Sequence, residues 1–333
     1  MTEVLKRVLP WLVTTLVLAF IAVTTDLETA WATVRATNWV TFVPAVIAVC
    51  VTVFLFDSWC LVKLFSRFVA PVTFKEMLPL KGTSYFLNVI NYNAAAAGIA
   101  LFFRNKKGVP FLEALASMLW LNFIDIVSLA ALVLAGMWVS PVELDPKLAF
   151  WVTAVCGGVL VILVGSCIYW NGRFDWFFFG RFRTWTIFAS FAKATLADYA
   201  FFIGIRLAFV GTYVVSQAVS MPFFSLEAGL RELFLFVPLL TFVGTIPFTT
   251  IAGLGTVQVL MRTFYEPFTP AYPSMDQVHA HIDAYSTTTI LAFVLVRIAI
   301  GAVFMRGVSM KIQTQEPAGT VPNAPEPVRT NPS

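Results

Sequence analysis

The chain has 333 residues, of which 59% are hydrophobic and 12% are charged, and its formal net charge is +4 at pH 7. A soluble domain carries about 25% charged residues. This composition excludes an ordinary soluble protein and indicates a polytopic helical membrane protein. The basic residues are spread over several loops rather than gathered in one patch, which argues against a nucleic-acid partner.

Six apolar segments are predicted to cross the bilayer, which takes about 20 residues in a helix. We place them at 9–24, 39–65, 109–137, 149–170, 196–219 and 285–306. The first segment lacks a cleavage site of small residues, so it is interpreted as an uncleaved span and not as a signal peptide. Residues 1–8 are assigned to a cytoplasmic N terminus, and the proline-rich residues 307–333 to a disordered cytoplasmic tail.

Two further apolar stretches, 80–103 and 230–266, have like-charged flanks. Basic residues lie on both sides of the first stretch, and acidic residues lie on both sides of the second. Because basic loops remain in the cytoplasm, each stretch is predicted to return to the side from which it entered. The flanking residues are Lys63, Arg67, Lys75, Lys81, Arg104, Lys106 and Lys107 for the first, and Glu227, Glu232, Glu266, Asp276 and Asp283 for the second.

The predicted fold is therefore an all-α polytopic membrane protein with about six full spans and two re-entrant hairpins. The second stretch is long enough to form two spans instead, which would give seven or eight spans with the same outer topology. This topology places both termini in the cytoplasm and the protein in the inner membrane. The order span, span, hairpin, span occurs in 9–137 and again, inverted, in 149–306. Inverted repeats of this kind are typical of secondary transporters, although channels and some membrane enzymes have them too.

The segment "GTIPFTTIAGLGTVQ" at 244–258 carries helix breakers and hydroxyl groups inside the second stretch. Irregular backbone at membrane depth requires surrounding protein or a water-filled cavity. The proline ends one half-helix, a threonine caps the next, and the glycines allow close approach, so the second half-helix offers free N–H groups to an anion. The alternative is that small residues simply permit tight helix packing. The residues concerned are Pro247, Thr249, Thr250, Gly253 and Gly255.

The first stretch contains a comparable polar apex, "NVINYNAAAAG", which supplies Asn88, Asn91 and Asn93. Asn93 is predicted to cap a half-helix that begins at Ala94. Tight packing of the alanines is again the alternative.

Four charged residues fall well inside predicted spans: Asp57, Asp125, Arg206 and Arg297. Charges in the membrane are costly and normally face the bundle interior or a cavity. One hypothesis is that at least one of the acids contacts Arg206 or Arg297 and holds the two halves together. A second is that one of the arginines binds an anionic head group, and a third is that an acid couples transport to protons.

Catalysis has little support in the sequence. His279 and His281 are the only histidines and are assigned to an outer loop, and no nucleophile motif, phosphate-binding loop or zinc spacing is present. We expect no catalytic site, no metal and no cofactor. The cysteines are interpreted as packing residues inside spans; they are Cys50, Cys60, Cys156 and Cys167.

Two segments resemble the lysylphosphatidylglycerol synthase transmembrane family. In "IPFTTIAGLGTVQVLMRTFY" the proline and the Gly-apolar-Gly pattern match, while Gln258 stands where a glutamate is usual. In "YFLNVINYNAAAAGIALFFRNKKGVPFLEAL" the matching residues are Asn88, Gly98, Gly108 and Pro110, while Ala100 and Phe102 replace charged residues. Asp125 and Arg297 also fall where the family tends to have an acid and an arginine.

The resemblance implies a stand-alone, flippase-like member without a synthetase domain, and so not an enzyme. The expected function is movement of an amphipathic lipid, anionic or isoprenoid-linked, between leaflets. The alternative is a non-transporting scaffold that recruits a lipid- or glycan-modifying enzyme as its partner. The predicted substrate path consists of Asn88, Asn91, Asn93, Pro247, Thr249, Thr250, Gly253, Gly255, Gln258, Arg206 and Arg297, with Asp57 and Asp125 in charge pairs.

Overall fold

A computed structural model describes residues 27–90, 92–172, 179–245 and 256–313. These residues form eleven α-helices, connected in part by short 3₁₀ turns, and contain no strand. The helices are α1 (Leu27–Ala36), α2 (Trp39–Phe68), α3 (Phe74–Ile90), α4 (Tyr92–Lys107), α5 (Phe111–Val139), α6 (Pro146–Asn171), α7 (Ala189–Lys193), α8 (Leu196–Ser220), α9 (Leu230–Thr245), α10 (Thr256–Tyr265) and α11 (Met275–Gln313).

Five helical segments are long and apolar enough to cross a membrane. They are Trp39–Phe68, Phe111–Val139, Pro146–Asn171, Leu196–Phe224 and Met275–Phe304. The predicted all-α polytopic membrane fold is confirmed, and five predicted spans coincide with these segments. The predicted span 9–24 lies outside the described residues.

The last span begins earlier than predicted. The sequence indicates a start at 285, whereas α11 begins at Met275. The additional turns carry polar residues that hydropathy assigns to a loop, but His281 and Asp283 are buried there and contact other parts of the protein. Because these two polar side chains form hydrogen bonds inside the bundle, they are buried without losing their hydrogen-bond partners, and the helix extends through them.

Local signals fix two span starts. Asp145 caps α6 by accepting from the backbone N–H groups of Lys147 and Leu148, and Pro146 occupies the first helical turn, where its missing N–H costs nothing. At α8, Thr195 and Asp198 form a reciprocal capping box.

Two pairs of shorter helices each begin and end on one side of the molecule. The Lys107 ammonium at the end of α4 contacts the Glu76 carboxylate at the start of α3 at 2.9 Å. Similarly, the backbone N–H of Glu227, before α9, donates to the carbonyl of Phe268, after α10, at 3.0 Å. With 17 and 16 residues, α3 and α4 are each about 25 Å long at 1.5 Å per residue, less than the ~30 Å of a bilayer core. Re-entry into the membrane remains a prediction for both pairs.

Ion pairs collect at one end of the bundle, which we call the ionic end. They are Arg67–Asp198 at 2.7 Å, Glu76–Lys107 at 2.9 Å, and Lys193–Glu113. The opposite end is held by contacts around His281, and we call it the histidine end. One buried cluster, around Trp120 and Phe202, lies toward the ionic end, and another, around Phe42 and Tyr285, lies toward the histidine end.

Candidate functional site

Four charged side chains form a continuous chain inside the bundle. The Lys81 ammonium lies 2.5 Å from Asp57 Oδ2, and Arg206 Nη1 donates to Asp57 Oδ1 at 3.0 Å. Arg206 Nε also donates to Asp125. The side chains are little exposed, at 13% for Lys81 and Asp57, 8% for Arg206 and 22% for Asp125. Two cations and two carboxylates alternate, so this charge chain is balanced as a unit.

The charge chain lies well inside the membrane-spanning part of the bundle. Arg206 is ten residues beyond Leu196, the first residue of α8, which corresponds to about 15 Å of helix. Asp125 is fourteen residues beyond Phe111, the first residue of α5, or about 21 Å. Both helices start at the ionic end, so the charges lie in the middle of a bilayer core about 30 Å thick.

Lys81 is a site residue that the sequence analysis missed. Its assignment to a cytoplasmic flank is wrong, because α3 starts at Phe74 and carries Lys81 into the bundle. The ammonium contacts Asp57 and also lies 5.2 Å from the centre of the Tyr85 ring. The available signal was the i, i+4 spacing of Lys81 and Tyr85, which places both on one helix face.

Arg297 lies apart from the charge chain. Its guanidinium stands 5.7 Å from the centre of the Tyr85 ring. Within the described part of the chain, no carboxylate forms an ion pair with it. Asp57 and Asp125 therefore both contact Arg206, and neither contacts Arg297. Through Tyr85 the unpaired guanidinium borders the same interior region as Lys81.

Gln258 is buried between α10 and α11, with 1% of its surface exposed. Its Nε2 donates to Thr287 Oγ1 at 2.8 Å, while its Oε1 has no hydrogen-bond partner among the described residues. One turn further along α10, Arg262 Nε donates to Asp283 Oδ1 at 2.9 Å. The sequence analysis placed Asp283 in the flank of the second stretch, whereas in the structure it belongs to α11, and its buried pair with Arg262 joins α11 to α10.

The histidines belong to α11 and not to an outer loop, which corrects the sequence-based assignment. His281 is buried, and its Nε2 lies 2.5 Å from the carbonyl oxygen of Phe224. Because a carbonyl only accepts, Nε2 carries the proton, and Nδ1 accepts from the Tyr272 hydroxyl at 2.8 Å. Nδ1 also lies 3.0 Å from Thr33 Oγ1 on α1. These contacts give His281 a structural role at the histidine end.

Several predicted path residues lie outside the described residues: Asn91, Pro247, Thr249, Thr250, Gly253 and Gly255. Asn88 belongs to α3 and Asn93 to α4, but their side chains lie outside the described part of the structure. Because α4 begins at Tyr92, Asn93 lies within the helix and not at the predicted cap position.

The family model of the lysylphosphatidylglycerol synthase TM region matches residues 7–275. Neither a curated protein nor a solved structure matches the chain significantly. The match includes the whole charge chain and Gln258 and ends where α11 begins, so Arg297 lies beyond it. Because more than half of the chain is matched, and the two segments noted above fall within the match, the protein belongs to the lysylphosphatidylglycerol synthase TM region family.

Proposed function

We propose that the protein moves an amphipathic lipid with an anionic head group between the leaflets of the inner membrane, with both termini in the cytoplasm. The lipid is either a phospholipid or an isoprenoid-linked molecule. The observation that carries the proposal is the guanidinium of Arg297, which contacts the Tyr85 ring and forms no ion pair with a carboxylate of the described residues, while the charge chain is already neutral.

The argument depends on the cost of charge in the membrane. An arginine at the centre of a membrane helix costs at least about 2.5 kcal/mol. The charge chain offsets this cost for Arg206, because two carboxylates contact it. Arg297 lacks such a partner among the described residues and is nevertheless half-buried. A guanidinium in this position matches the geometry of a phosphate group, which would supply the missing negative charge.

The topology supports a transport role over a purely structural one. The ends of α3 and α4 meet at the ionic end, and the segments around α9 and α10 meet at the other end. Helix pairs that enter from opposite faces are expected for an inverted repeat, in which substrate sites lie near the midplane. The charge chain also crosses between the two proposed units, because Asp57 and Asp125 belong to 9–137 and Arg206 belongs to 149–306.

Reconstitution tests the proposal. Liposomes containing the purified protein are loaded with fluorescent lipids that differ only in head group, and transfer between leaflets is measured by chemical quenching from outside. We expect faster transfer of anionic than of zwitterionic lipids. Arg297→Met should remove that preference, whereas Arg297→Lys, which keeps the charge, should retain part of it.

Two results would count against the proposal. Equal transfer of anionic lipid by Arg297→Met and by the unchanged protein would exclude Arg297 as the head-group contact. If the unchanged protein accelerates no lipid in liposomes, the scaffold alternative becomes the better explanation, and a co-purifying lipid- or glycan-modifying enzyme should then be sought.

A further inference from the structure

The charges inside the membrane part of the chain do not balance. The charge chain combines two cations with two carboxylates, and Arg297 adds a third cation. Nearer the histidine end, Arg262 and Asp283 form a balanced pair. No Asp, Glu, Lys or Arg occurs in the other apolar segments, which are 9–24, 82–103, 149–170 and 233–261. The interior therefore carries one positive charge in excess.

The remaining charged residues of the described helices do not change this balance. They lie within about two turns of the helix ends, where long side chains reach the membrane surface and water. His281 adds no charge either, because its Nδ1 accepts a hydrogen bond from Tyr272 while Nε2 carries the single proton. The excess charge is thus a property of the membrane interior and not of the surface.

Arg297 and the charge chain form one electrostatic unit. The Tyr85 ring is close to both, since its centre lies 5.2 Å from the Lys81 ammonium and 5.7 Å from the Arg297 guanidinium. Asp57 already contacts Lys81 and Arg206, and it also attracts Arg297. One carboxylate is therefore shared among three cations, so the positive charge in excess is located on the side of Arg297.

Hydrogen-bond donors surround this excess charge. The hydroxyl groups of Tyr85 and Tyr213 both interact electrostatically with Arg297. Tyr85 is 4% exposed, and neither hydroxyl forms a hydrogen bond with a described residue. A guanidinium offers five N–H donors and a phenol one O–H. The region beside Arg297 can therefore supply several donors to the oxygens of an anion.

We propose that the lipid head group at Arg297 carries a single negative charge, that of a phosphodiester. This inference rests on the proposed function and narrows its substrate class. A phosphodiester neutralises the interior, whereas a phosphate monoester, with a charge of about −1.5 to −2 at pH 7, and a pyrophosphate leave negative charge in excess. One charge without compensation at the centre of the bilayer lowers affinity on the order of a hundredfold.

Two kinds of lipid contain a phosphodiester, and a matched ligand series separates them. Geranylgeranyl methyl phosphate, geranylgeranyl phosphate and geranylgeranyl diphosphate share one isoprenoid chain and are a diester, a monoester and a pyrophosphate. Phosphatidylglycerol presents the diester on a diacyl lipid, and phosphatidylcholine adds a cation to it. Binding of each ligand to the purified protein in detergent is measured by thermophoresis at about pH 8, where the monoester is doubly charged.

We expect the isoprenoid diester to bind at least about tenfold more tightly than the monoester or the diphosphate. Binding of phosphatidylglycerol but not of the isoprenoid diester assigns the site to a glycerolipid, and the reverse result assigns it to an isoprenoid lipid. Equal or tighter binding of the diphosphate overturns the single-charge inference. The proposed function survives that result if Arg297→Met weakens every anionic ligand.

Cys50 permits a change of the interior charge without the loss of an ion pair. It is 3% exposed, interacts electrostatically with Arg297, and lies on the same face of α2 as Asp57, seven residues away. Cys50→Asp removes the excess charge, Cys50→Asn is the uncharged control, and Cys50→Lys doubles the excess. We expect Cys50→Asp to bind both diesters at least about tenfold more weakly than Cys50→Asn, and Cys50→Lys to prefer the monoester.

The comparison of Cys50→Asp with Cys50→Asn is decisive even if Cys50→Lys does not fold. Equal affinity of these two variants for the diesters shows that the excess charge does not select the head group, and the inference is then wrong while anionic transfer through Arg297 can still be observed. If the unchanged protein binds no ligand of the series and transfers no lipid in liposomes, the proposed function is wrong and the inference falls with it.

Discussion

The two intramembrane arginines should respond very differently to the same substitution. Arg206 is 8% exposed and contacts both Asp57 and Asp125, whereas Arg297 contacts neither. Arg206→Met removes a cation and leaves Asp125 without its partner inside the bundle. Arg297→Met removes a cation that forms no ion pair with a carboxylate of the described residues. We therefore expect a severe loss of stability in the first variant and a small change in the second.

The magnitudes follow from the contacts. Removing one partner of a buried ion pair typically costs about 3–5 kcal/mol, because the remaining charge is uncompensated. Asp57 retains the Lys81 ammonium at 2.5 Å in Arg206→Met, so most of the cost falls on Asp125. Arg297→Met loses a cation–π contact worth on the order of 1 kcal/mol, and the loss is partly offset because a methionine is more easily buried.

Thermal unfolding in a mild detergent, followed by size-exclusion chromatography with fluorescence detection, measures the difference. At about 2 °C for each kcal/mol in a large domain, Arg206→Met should lower the apparent Tm by roughly 6–10 °C and Arg297→Met by about 2 °C. Adding Asp125→Asn to Arg206→Met should recover part of the loss, since it removes the uncompensated carboxylate. Equal losses for the two arginine variants, or strictly additive losses in the double variant, would refute this account of the charge chain.

Three further predictions concern packing, acid stability and topology. Gly136→Ala should lower the free energy of unfolding by about 1–3 kcal/mol, because the added Cβ would lie 2.7 Å from Leu235 Cα on the facing helix. The control variant Gly204→Ala should be tolerated, because its added Cβ would have no atom within 4 Å. Thermal unfolding measures both. The Thr73 backbone N–H and the Lys107 ammonium lower the pKa of Glu76 from 4.5 to about 2. The stability that the Glu76 carboxylate contributes is therefore complete above pH 4.5 and is lost as the pH falls through about 2. The difference in Tm between the unchanged protein and Glu76→Gln should shrink over that pH range. Cysteines replacing Lys75 and Lys107 should react with a membrane-impermeant maleimide from the same face, and labelling from opposite faces would exclude the hairpin.

Hydropathy was sufficient for the fold class because the spans are long and weakly charged. It predicted α2, α5, α6 and α8 closely and identified Asp57, Asp125 and Arg206 as intramembrane charges. It misplaced the start of α11, because polar residues with buried partners have the same hydropathy as polar residues in water. His281 and Asp283 show this directly, since both are at most 4% exposed.

The partners within the site depend on contacts between distant parts of the chain. Arg206 is 81 residues from Asp125 and 149 from Asp57, and no local pattern indicates which acid an arginine will contact. Lys81 was assigned to a loop because the positive-inside rule treats every lysine near a span as a surface charge. A lysine that contacts a carboxylate inside the bundle is an exception to that rule, and only the position of α3 against α2 reveals it.

The distribution of contacts between the two proposed units suggests how they could move. The charged contacts between 9–137 and 149–306 occur at the ionic end and in the middle of the bundle, while the described contacts around His281 at the other end are hydrogen bonds. The charged contacts are Arg67–Asp198, Lys193–Glu113, Arg206–Asp57 and Arg206–Asp125.

Separating the units from the ionic end breaks the two exposed ion pairs first, at a cost of about 0–1 kcal/mol each. Going further exposes or separates Arg206 and its carboxylates, which costs several kcal/mol unless another group replaces them. Water entering from the ionic end would hydrate the Arg206 guanidinium, and the phosphate of a lipid would form an ion pair with it. Either would replace the lost carboxylate contacts. We therefore expect the charge chain to act as the main barrier to opening on that side, and Asp125→Asn, which removes one of its contacts, to increase the accessibility of a cysteine placed near Arg206 to reagents from the ionic end.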